Sequence, residues 1–394
     1  MRSLIVQLAR LGDVIQTLPA IAALNARDSS ETLDVLCAAS LTGVVSLFPG
    51  IRRVLPWDGD RWRQWAGGWR KTSMSILPTV ESYLQEYGPA LYGAAYNLNQ
   101  HPRSILAAHL LARKVVGPGH SGPVAQGLPR WAAYLREVAR DRRPNSVHLA
   151  DAFCGMCGVT PPGFAPRVAP PAAALPHDLA CIGEENHRWI AVIVGAGDVA
   201  RCLPPQVWAQ WIGGLLNSDQ DCRVVLIGTA GERSRALAIQ DGLSPLLLGR
   251  LWDATGRTDL CQLASLLARC RWATGADTGS LHLAAAVGIK TLGFYFARAR
   301  VHETGPYGEG HWVWQASSHS PTTWPVAESL SLILESSEAP VSSVTDGWQL
   351  WRGHMDEWGA SFTRPGQADS SKAERVRVWN ECMSDSEKDA AVLR

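Results

Sequence analysis

The sequence predicts an α/β protein with two doubly wound parallel sheets in tandem. Two sets of short apolar strands alternate with helical stretches, the first within residues 1–120 and the second within residues 189–296. Such alternation produces parallel sheets with helices on their faces. Residues 161–176 contain six prolines and separate the two sets, which is typical of a linker. Ligands of such sheets bind at the carboxyl ends of the strands, and we expect them between the two domains.

Each set has a definite order of elements. In the first set the predicted strands are residues 3–8, 33–37, 94–98 and 114–116, and the predicted helices are residues 13–27 and 104–112. In the second set the predicted strands are residues 189–194, 223–227, 246–248, 272–275 and 291–296. Its predicted helices are residues 207–216, 231–240, 259–268 and 280–287.

The last sixty residues differ from both sets. Trp348, Trp351, Met355 and Trp358 have the spacing of one face of a helix. We therefore expect a helical, partly mobile C-terminal extension over residues 336–394, after domains at residues 1–165 and 178–335. This Trp stripe is interpreted as packing.

Composition excludes several classes of protein. Of 394 residues, 46% are hydrophobic and 19% are charged, as in globular proteins and unlike disordered chains. No apolar run is long enough to span a membrane, and Gln7, Arg10 and Asp13 interrupt any signal-peptide core. Nine cysteines without a secretion signal indicate reduced thiols in the cytoplasm. We interpret the C-x-x-C pair Cys154 and Cys157 as buried helix residues and predict no metal site.

Charge is unevenly distributed along the chain. Residues 1–150 hold 17 basic and 10 acidic side chains, a balance of +7, whereas residues 151–394 hold 20 and 26, a balance of −6. The asymmetry either reflects scatter between domains or indicates an anionic partner for the first half.

The first motif lies where the first predicted strand ends. Residues 8–20 read LARLGDVIQTLPA, and Asp13 falls at or near the start of a helix at the carboxyl edge of the sheet. An acidic residue there either takes part in catalysis or caps the helix, and position does not separate these roles.

The second motif follows the strand at residues 272–275. Residues 275–286 read GADTGSLHLAAA, so a turn of small residues after Asp277 opens a helix. The backbone N–H groups of Thr278, Gly279 and Ser280 would then form a phosphate cradle. His282 lies in the first turn of this helix, where it would face the same anion.

The third motif spells G-x-G-x-x-A at residues 195–200. A dinucleotide fingerprint needs a helix that begins among the glycines, but Pro204 and Pro205 delay the helix. We therefore interpret the segment as a loop that carries a free cation, Arg201. Glu232 follows the next strand, where it is placed to accept hydrogen bonds from ribose hydroxyls.

These blocks resemble glycosyltransferase family 9, the heptosyltransferases of lipopolysaccharide synthesis. Four blocks occur in the order that the family shows. They are RLGDVIQTLPA at 10–20, the G-A, Arg, Pro and W-A positions within 195–209, LIGT followed by GE within 226–232, and DTGSLHLAAA at 277–286. The resemblance covers roughly residues 1–335. It implies the two-domain GT-B fold and a metal-independent, inverting transfer from an ADP-activated heptose, with no cofactor.

The resemblance also implies roles for individual residues. Asp13 corresponds to the catalytic base, and Arg10 is assigned to acceptor binding. The donor would be held by Arg201, which replaces the family's common Lys, and by Glu232, Asp277, Thr278, Gly279 and His282. Residues 294–300 read FYFARAR in place of the usual turn, so the sugar pocket is expected to differ.

A cationic, Trp-rich segment in the first half is the candidate acceptor surface. Trp62, Trp65 and Trp69 share one helical face, surrounded by Arg61, Arg63, Arg70 and Lys71. Such a segment either binds an anionic acceptor, lies on an anionic membrane surface, or packs as an ordinary amphipathic helix. Family members carry a similar loop toward their acceptor.

The motifs and the resemblance together predict a cytoplasmic heptosyltransferase that acts on a lipopolysaccharide core or a related anionic glycan. Its partners would be an ADP-sugar donor and an anionic glycolipid or glycoprotein acceptor, and we expect it to bind no nucleic acid. Peripheral contact with the inner face of the inner membrane is a further alternative. Transfer of heptose to a protein such as an autotransporter or flagellin is a close alternative. A nicotinamide-dinucleotide oxidoreductase and a noncatalytic nucleotide-sugar-binding protein are alternatives of other classes.

Overall fold

The chain forms two compact units in the computed structural model, which describes residues 2–60, 91–119, 129–170, 172–183, 187–334 and 344–391. The first unit consists of Met1–Arg140, Ala150–Pro162 and Val376–Arg394, and the second consists of Asp141–Leu149 and Gly163–Arg375. Within the described ranges, no helix has the length and apolar character needed to cross a membrane. The Trp-rich segment at residues 61–71 lies outside the described residues.

The first unit contains a parallel sheet in the order β3-β2-β1-β4-β5. Its strands are β1 (Arg2–Gln7), β2 (Thr32–Ala38), β3 (Ile51–Trp57), β4 (Tyr92–Asn97) and β5 (Ala112–Val116). Its helices in the described residues are α1 (Leu11–Ile15), α2 (Leu18–Arg27), α3 (Thr42–Val45), α4 (Pro102–Leu111), α5 (Arg130–Arg140) and α6 (Leu149–Met156). The core lies between this sheet and its helices, with Leu4, Val6 and Leu36 fully buried.

The predicted single helix over residues 13–27 is wrong. The chain forms α1 and α2, with a break at Gln16 and Thr17. Pro19 is the physical reason, because a proline inside a helix lacks the N–H donor and clashes with the preceding turn. It is tolerated as the second residue of α2, where that N–H would have no intrahelical partner.

The second unit contains a mixed sheet in the order β12-β13-β11-β10-β9-β6-β7-β8, with β14 paired to β13. Its strands are β6 (Arg188–Ile193), β7 (Cys222–Ile227), β8 (Leu251–Asp253), β9 (Trp272–Ala276), β10 (Lys290–Tyr295), β11 (Trp312–Ala316), β12 (Val344–Thr345), β13 (Trp348–Asp356) and β14 (Gly359–Thr363). Its helices are α7 (Pro205–Ser218), α8 (Arg233–Asp241), α9 (Leu260–Ala268), α10 (Gly279–Ala286), α11 (Val301–Thr304) and α12 (Val326–Leu334). Six neighbouring strands, β8, β7, β6, β9, β10 and β11, run parallel, and β13 pairs with β11 in the antiparallel direction.

The predicted helix that carries the C-terminal Trp stripe is also wrong. Trp348, Trp351 and Met355 lie on β13, and Trp358 lies in the turn between β13 and β14. The buried residues at the start of β13 are Trp348 and Leu350, which have the period of two that a strand requires. A helix, α13 (Lys372–Ala391), follows this hairpin, so the extension is helical only in its last part.

Residues 246–248 were predicted as a strand and belong instead to a 3₁₀ helix, Pro245–Arg250, which precedes β8. The apolar run is short, and periodicity does not separate short apolar runs into helix and strand. The other strands and helices predicted within residues 189–296 are present with shifts of a few residues at their ends. The boundaries at residues 165, 178 and 335 stay a prediction.

Candidate functional site

The predicted donor-binding residues meet at the carboxyl edge of the second sheet. Strand β6 lies between β7 and β9, and all three run parallel. Gly195 follows the end of β6, Glu232 follows the end of β7, and Asp277 follows the end of β9. Because parallel strands end at the same edge, these three positions are neighbours.

Asp277 is the centre of a short chain of polar contacts. Nη1 of Arg201 donates hydrogen bonds to the Asp277 backbone oxygen at 3.0 Å and to Oδ2 at 3.2 Å. Oδ1 of Asp277 lies 3.3 Å from Nε2 of His282. The side chains of Asp277 and His282 are 11% and 4% exposed. The carboxylate therefore orients one cation and one imidazole at the same point of the sheet edge.

Arg201 is not the free cation that the sequence predicted. It forms an ion pair with Asp277, and its side chain is 20% exposed. The residue ends a 3₁₀ turn, Val199–Arg201, which Asp198 caps through a bond from the Ala200 N–H to Oδ1 at 3.0 Å. An arginine carries five N–H donors, so contact with one carboxylate leaves others available to a diphosphate.

The turn after Asp277 opens α10 as predicted. Thr278 is the N-cap residue, and its hydroxyl accepts a hydrogen bond from Leu281 N at 3.3 Å. The backbone N–H groups of Gly279 and Ser280 precede the first intrahelical bond and carry the positive end of the helix dipole. A helix start with this arrangement is suited to bind phosphate oxygens.

Glu232 is held over two glycines at the same edge. Its Oε2 accepts hydrogen bonds from the N–H of Thr229 at 2.7 Å and from the Thr229 hydroxyl at 2.9 Å. A Cβ atom on Gly195 would lie 1.7 Å from Oε1, so this position must be glycine for the carboxylate to fit. The glycine therefore makes room for Glu232, and α7 begins only at Pro205, after the glycines of this segment.

Sequence reasoning missed Arg235, which secures the loop that carries Arg201. Its Nε donates to the backbone oxygen of Val194 at 3.1 Å, and its Nη2 donates to that of Leu203. These two acceptors stand at either end of the loop. No pattern distinguished Arg235 from Arg233, which lies on the same helix and is exposed.

Two buried groups behind the site were also missed. The Tyr295 hydroxyl donates to the backbone oxygen of Thr304 at 2.7 Å, and burial raises the pKa of Tyr295 well above its usual value. His148 is fully buried, and its Nε2 lies 2.8 Å from the backbone oxygen of Gly305. Burial lowers the pKa of His148 to about 3, so the ring is neutral at physiological pH. Both side chains fix the turn that follows α11.

Asp13 occupies the corresponding edge of the first unit. It is the third residue of α1, and its Oδ2 accepts a hydrogen bond from the backbone N–H of Arg10 at 3.2 Å. The backbone oxygen of Asp13 also accepts from the hydroxyl of Thr17 at 3.0 Å. The capping contact that the sequence allowed is therefore present.

The structure describes only one of the five predicted acceptor-binding residues, Arg10. Arg10 is exposed at the N-terminus of α1. Arg61, Arg63, Arg70 and Lys71 lie outside the described residues, so their role stays a prediction.

The C-x-x-C pair lies on and just after α6. Cys154 and Cys157 are both buried, and burial raises the pKa of Cys157 to about 12 and that of Cys154 well above its usual value. Both thiols are therefore protonated at neutral pH, as expected of packing residues. Within the described ranges, no group of three or more His, Cys, Asp or Glu is arranged to hold a metal ion.

Comparison with known proteins finds a family model that matches part of the second unit. Residues 168–323 match the model of "Glycosyltransferase family 9 (heptosyltransferase)". Lipopolysaccharide heptosyltransferase 1 of Pseudomonas aeruginosa is 26% identical over 324 residues, which cover 78% of this chain and 82% of that protein. A Haemophilus influenzae protein named as a glycosyltransferase is 34% identical over 110 residues, which cover 28% of this chain and 31% of that relative.

A solved structure shows the same fold. The Escherichia coli ADP-heptose lipopolysaccharide heptosyltransferase II superimposes with a TM-score of 0.63 at 16% identity, over 86% of this chain and all of that one. The two α/β units, whose central strands are parallel, thus have the GT-B fold. Residues 168–323 thus match glycosyltransferase family 9, and the chain has the fold of a heptosyltransferase of known structure.

Proposed function

We propose that the protein transfers a heptose from ADP-heptose to a lipopolysaccharide core or a related anionic glycan. The observation that carries the proposal is the cluster of Arg201, Asp277 and His282 beside the start of α10. A cation, an imidazole and helix-start amides converge there, as a leaving diphosphate requires. The names of the Pseudomonas and Escherichia coli proteins support heptose as the sugar.

Each donor group is assigned to one part of the ligand. Arg201 and the Gly279 and Ser280 amides would bind the two phosphates and stabilise negative charge as the bond to the sugar breaks. Glu232 would accept hydrogen bonds from the ribose hydroxyls through Oε1, since Oε2 is occupied by Thr229. His282 would donate to a phosphate or sugar oxygen, oriented by Asp277.

The remaining role is that of the base. Asp13 would take the proton from the acceptor hydroxyl while that oxygen attacks the anomeric carbon on the face opposite to the diphosphate. Such a displacement inverts the anomeric configuration and forms the new glycosidic bond as the bond to ADP breaks. In this mechanism the positive charge for the leaving group comes from protein groups, without a divalent metal.

An incubation of the purified protein with a panel of nucleotide sugars and candidate acceptors tests the function. We expect ADP release and an acceptor mass increase of one heptose with ADP-heptose, in the presence of EDTA. Activity that EDTA abolishes and magnesium or manganese restores would contradict the metal-free mechanism. Product formed with a different sugar, or on a protein acceptor, would correct the substrate and leave the transferase assignment in place.

A further inference from the structure

The loop that follows β10 lies beside the predicted donor site. Strand β10 runs parallel to β9, and its residue Phe294 pairs with Ala276. The next residue, Tyr295, is thus level with Asp277. Burial raises the pKa of Tyr295 most strongly, and the charges of Asp277 and Arg201 also act on it, so these three side chains lie near one another. The loop therefore begins at the same edge, next to the start of α10.

The backbone of this loop, residues 296–300, has an uncommon conformation. Ala297 is buried and has a φ of +54°, in the left-handed region that residues with a side chain rarely adopt. Its N–H donates a hydrogen bond to the backbone oxygen of His319 at 3.0 Å. Such a conformation persists only where the surrounding contacts enforce it, and it is found most often at functional sites.

Two long side chains hold this loop in place. Nε2 of Gln315, on β11, donates to the backbone oxygens of Tyr295 and Ala299 at 3.1 and 3.2 Å. Nη1 of Arg300 donates to the backbone oxygens of Ala297 and Ala299 at 3.2 and 2.7 Å. These bonds fix the backbone on both sides of the residue at position 298.

Arg298 is the side chain that this loop presents to solvent. It is exposed, whereas its neighbours Ala297 and Ala299 are 4% and 2% exposed. In the part of the chain that the structure describes, its guanidinium makes no hydrogen bond, ion pair or ring contact. An arginine carries five N–H donors, and those of Arg298 are therefore available to a ligand.

Most other arginines of this edge already have partners. The arginines in the loops and first helical turns that directly follow the parallel strands are Arg201, Arg233, Arg235, Arg257, Arg298 and Arg300. Among the described residues, Arg233 and Arg298 have no hydrogen-bond or ion-pair partner, whereas the other four bond to carboxylates or backbone oxygens. Arg233 follows β7, which is two positions from β9 in the sheet, and Arg298 follows β10, which is next to β9. Arg298 is thus the nearer of the two to the helix start that would bind phosphate.

The charge balance of the donor site favours a further cation. Arg201 is paired with Asp277, so these two side chains together carry no net charge. A diphosphate gains negative charge as its bond to the sugar breaks, and catalysis depends on groups held in place to stabilise that charge. A guanidinium is suited to this role because its N–H donors match phosphate oxygens in pairs.

We propose that Arg298 is a further donor-binding residue, which contacts the diphosphate of a nucleoside diphosphate sugar from the β10 side of the site. The proposal rests on the proposed function, since it takes the same sheet edge to bind the ADP-sugar. It makes residues 296–300 a phosphate-binding loop, whose fixed backbone holds Arg298 beside the start of α10. Because charge develops on the diphosphate during transfer, loss of Arg298 should lower kcat as well as ADP affinity.

Calorimetric titration of the full chain with ADP and with adenosine tests this contact. Arg298→Gln should weaken ADP binding by about tenfold or more, because it removes a charge-assisted hydrogen bond to phosphate. Adenosine has no phosphate, so it should bind Arg298→Gln and the parent with equal affinity. Arg298→Lys keeps the charge and should recover part of the lost ADP affinity. Arg233→Gln removes an exposed arginine of the same edge, and as the matched control it should bind ADP like the parent.

Several results would overturn the proposal. Parental ADP affinity in Arg298→Gln would remove Arg298 from the donor site and leave the transferase function in place. Absence of ADP binding to the parent would instead overturn both this inference and the proposed function. Equal losses of ADP and adenosine affinity would show that Arg298 acts on the shape of the site and not on the phosphates. Thermal melting identifies a variant that has not folded, and Arg298→Lys keeps the test valid if Arg298→Gln is unstable.

Discussion

Asp277 receives contacts from two side chains, one from a distant part of the chain and one from the helix that follows it. Arg201 precedes it by 76 residues, whereas His282 follows it by five. Hydrogen bonds to a charged group are stronger than those between neutral groups, so the carboxylate positions both partners before a ligand arrives. Sequence motifs identified all three residues, but they did not show that the arginine and the acid are paired with each other.

At Asp13 the structure leaves two roles to be separated by experiment. One carboxylate oxygen caps α1 through Arg10 N, and a catalytic role would require the carboxylate to take the proton of the acceptor hydroxyl. Asp13→Asn keeps an oxygen for the cap and removes the base. General-base catalysis contributes roughly 10²–10⁴-fold, so we expect kcat to fall by about that factor while ADP affinity and Tm change little.

The measurement is kcat beside the melting temperature, with Asp28→Asn as the control for an exposed acid of the same unit. Retention of more than about a tenth of the parent kcat would remove Asp13 from the role of base. Because Asn retains the capping oxygen, a capping-only role predicts little change in either kcat or Tm.

The strands and helices that carry the site were largely predictable from the sequence, because buried strands of a parallel sheet have a clear sequence pattern. Strands β1 and β6 are buried on both faces, so each reads as an apolar run that ends at a turn of small or polar residues. The hairpin of β13 and β14 was not predictable in this way. Its two faces differ in burial, and its tryptophans occur on both, so the spacing of Trp348, Trp351 and Met355 imitated a helix.

The loop between β6 and α7 depends on α8 for its conformation. Arg235 bonds to the backbone oxygens of Val194 and Leu203, so its loss would free both ends of the loop that presents Arg201. For Arg235→Met we expect the donor KM to rise by about tenfold or more, which corresponds to one or two charge-assisted hydrogen bonds, with a smaller change in kcat. Steady-state kinetics with varied ADP-sugar measure both constants.

Arg233→Met is the matched control, because it removes an exposed arginine from the same helix. Arg235→Lys should recover part of the donor affinity, since lysine can still donate to one carbonyl oxygen. An unchanged donor KM in Arg235→Met, at parental stability, would show that the loop holds its conformation without this contact.

The whole molecule divides its charge between a basic first half and an acidic second half. If the segment at residues 61–71 binds an anionic acceptor, alanine at Arg61, Arg63, Arg70 and Lys71 should raise the acceptor KM by about tenfold or more and leave ADP affinity unchanged. Exposed charge contacts are screened by salt, so high ionic strength should raise the KM of the parent more than that of the variant.

A control variant with the same net charge separates the segment from the overall field. Alanine at Arg103, Arg113, Arg136 and Arg140 removes four exposed basic residues elsewhere in the first unit. Equal effects of the two variants on the acceptor KM would assign the attraction to net charge and not to the segment.

Stability of the second unit should depend on pH through its buried histidines. Burial lowers the pKa of His148 to about 3 and those of His302 and His311 to about 4, against an ordinary value of 6.5. Between pH 6.5 and 4 the unfolded chain therefore binds protons that the folded chain does not, and the free energy of unfolding falls as the pH falls. This stabilisation is complete above pH 6.5.

Calorimetric melting from pH 7.5 to 5 should show a nearly constant Tm above pH 6.5 and a decrease below it, well above the pH at which the paired carboxylates are protonated. Hydrogen bonds from Arg375 lower the pKa of Asp356, and hydrogen bonds from Ser371 and Arg375 lower that of Asp369, so these carboxylates affect stability only at more acidic pH. His148→Gln keeps a side-chain N–H for the backbone oxygen of Gly305 and removes one titrating ring. It should therefore reduce the slope of Tm against pH by about a third, because one of three linked protons is lost. A Tm that does not change between pH 7 and 5 would show that these rings are protonated in the folded state or are exposed to solvent.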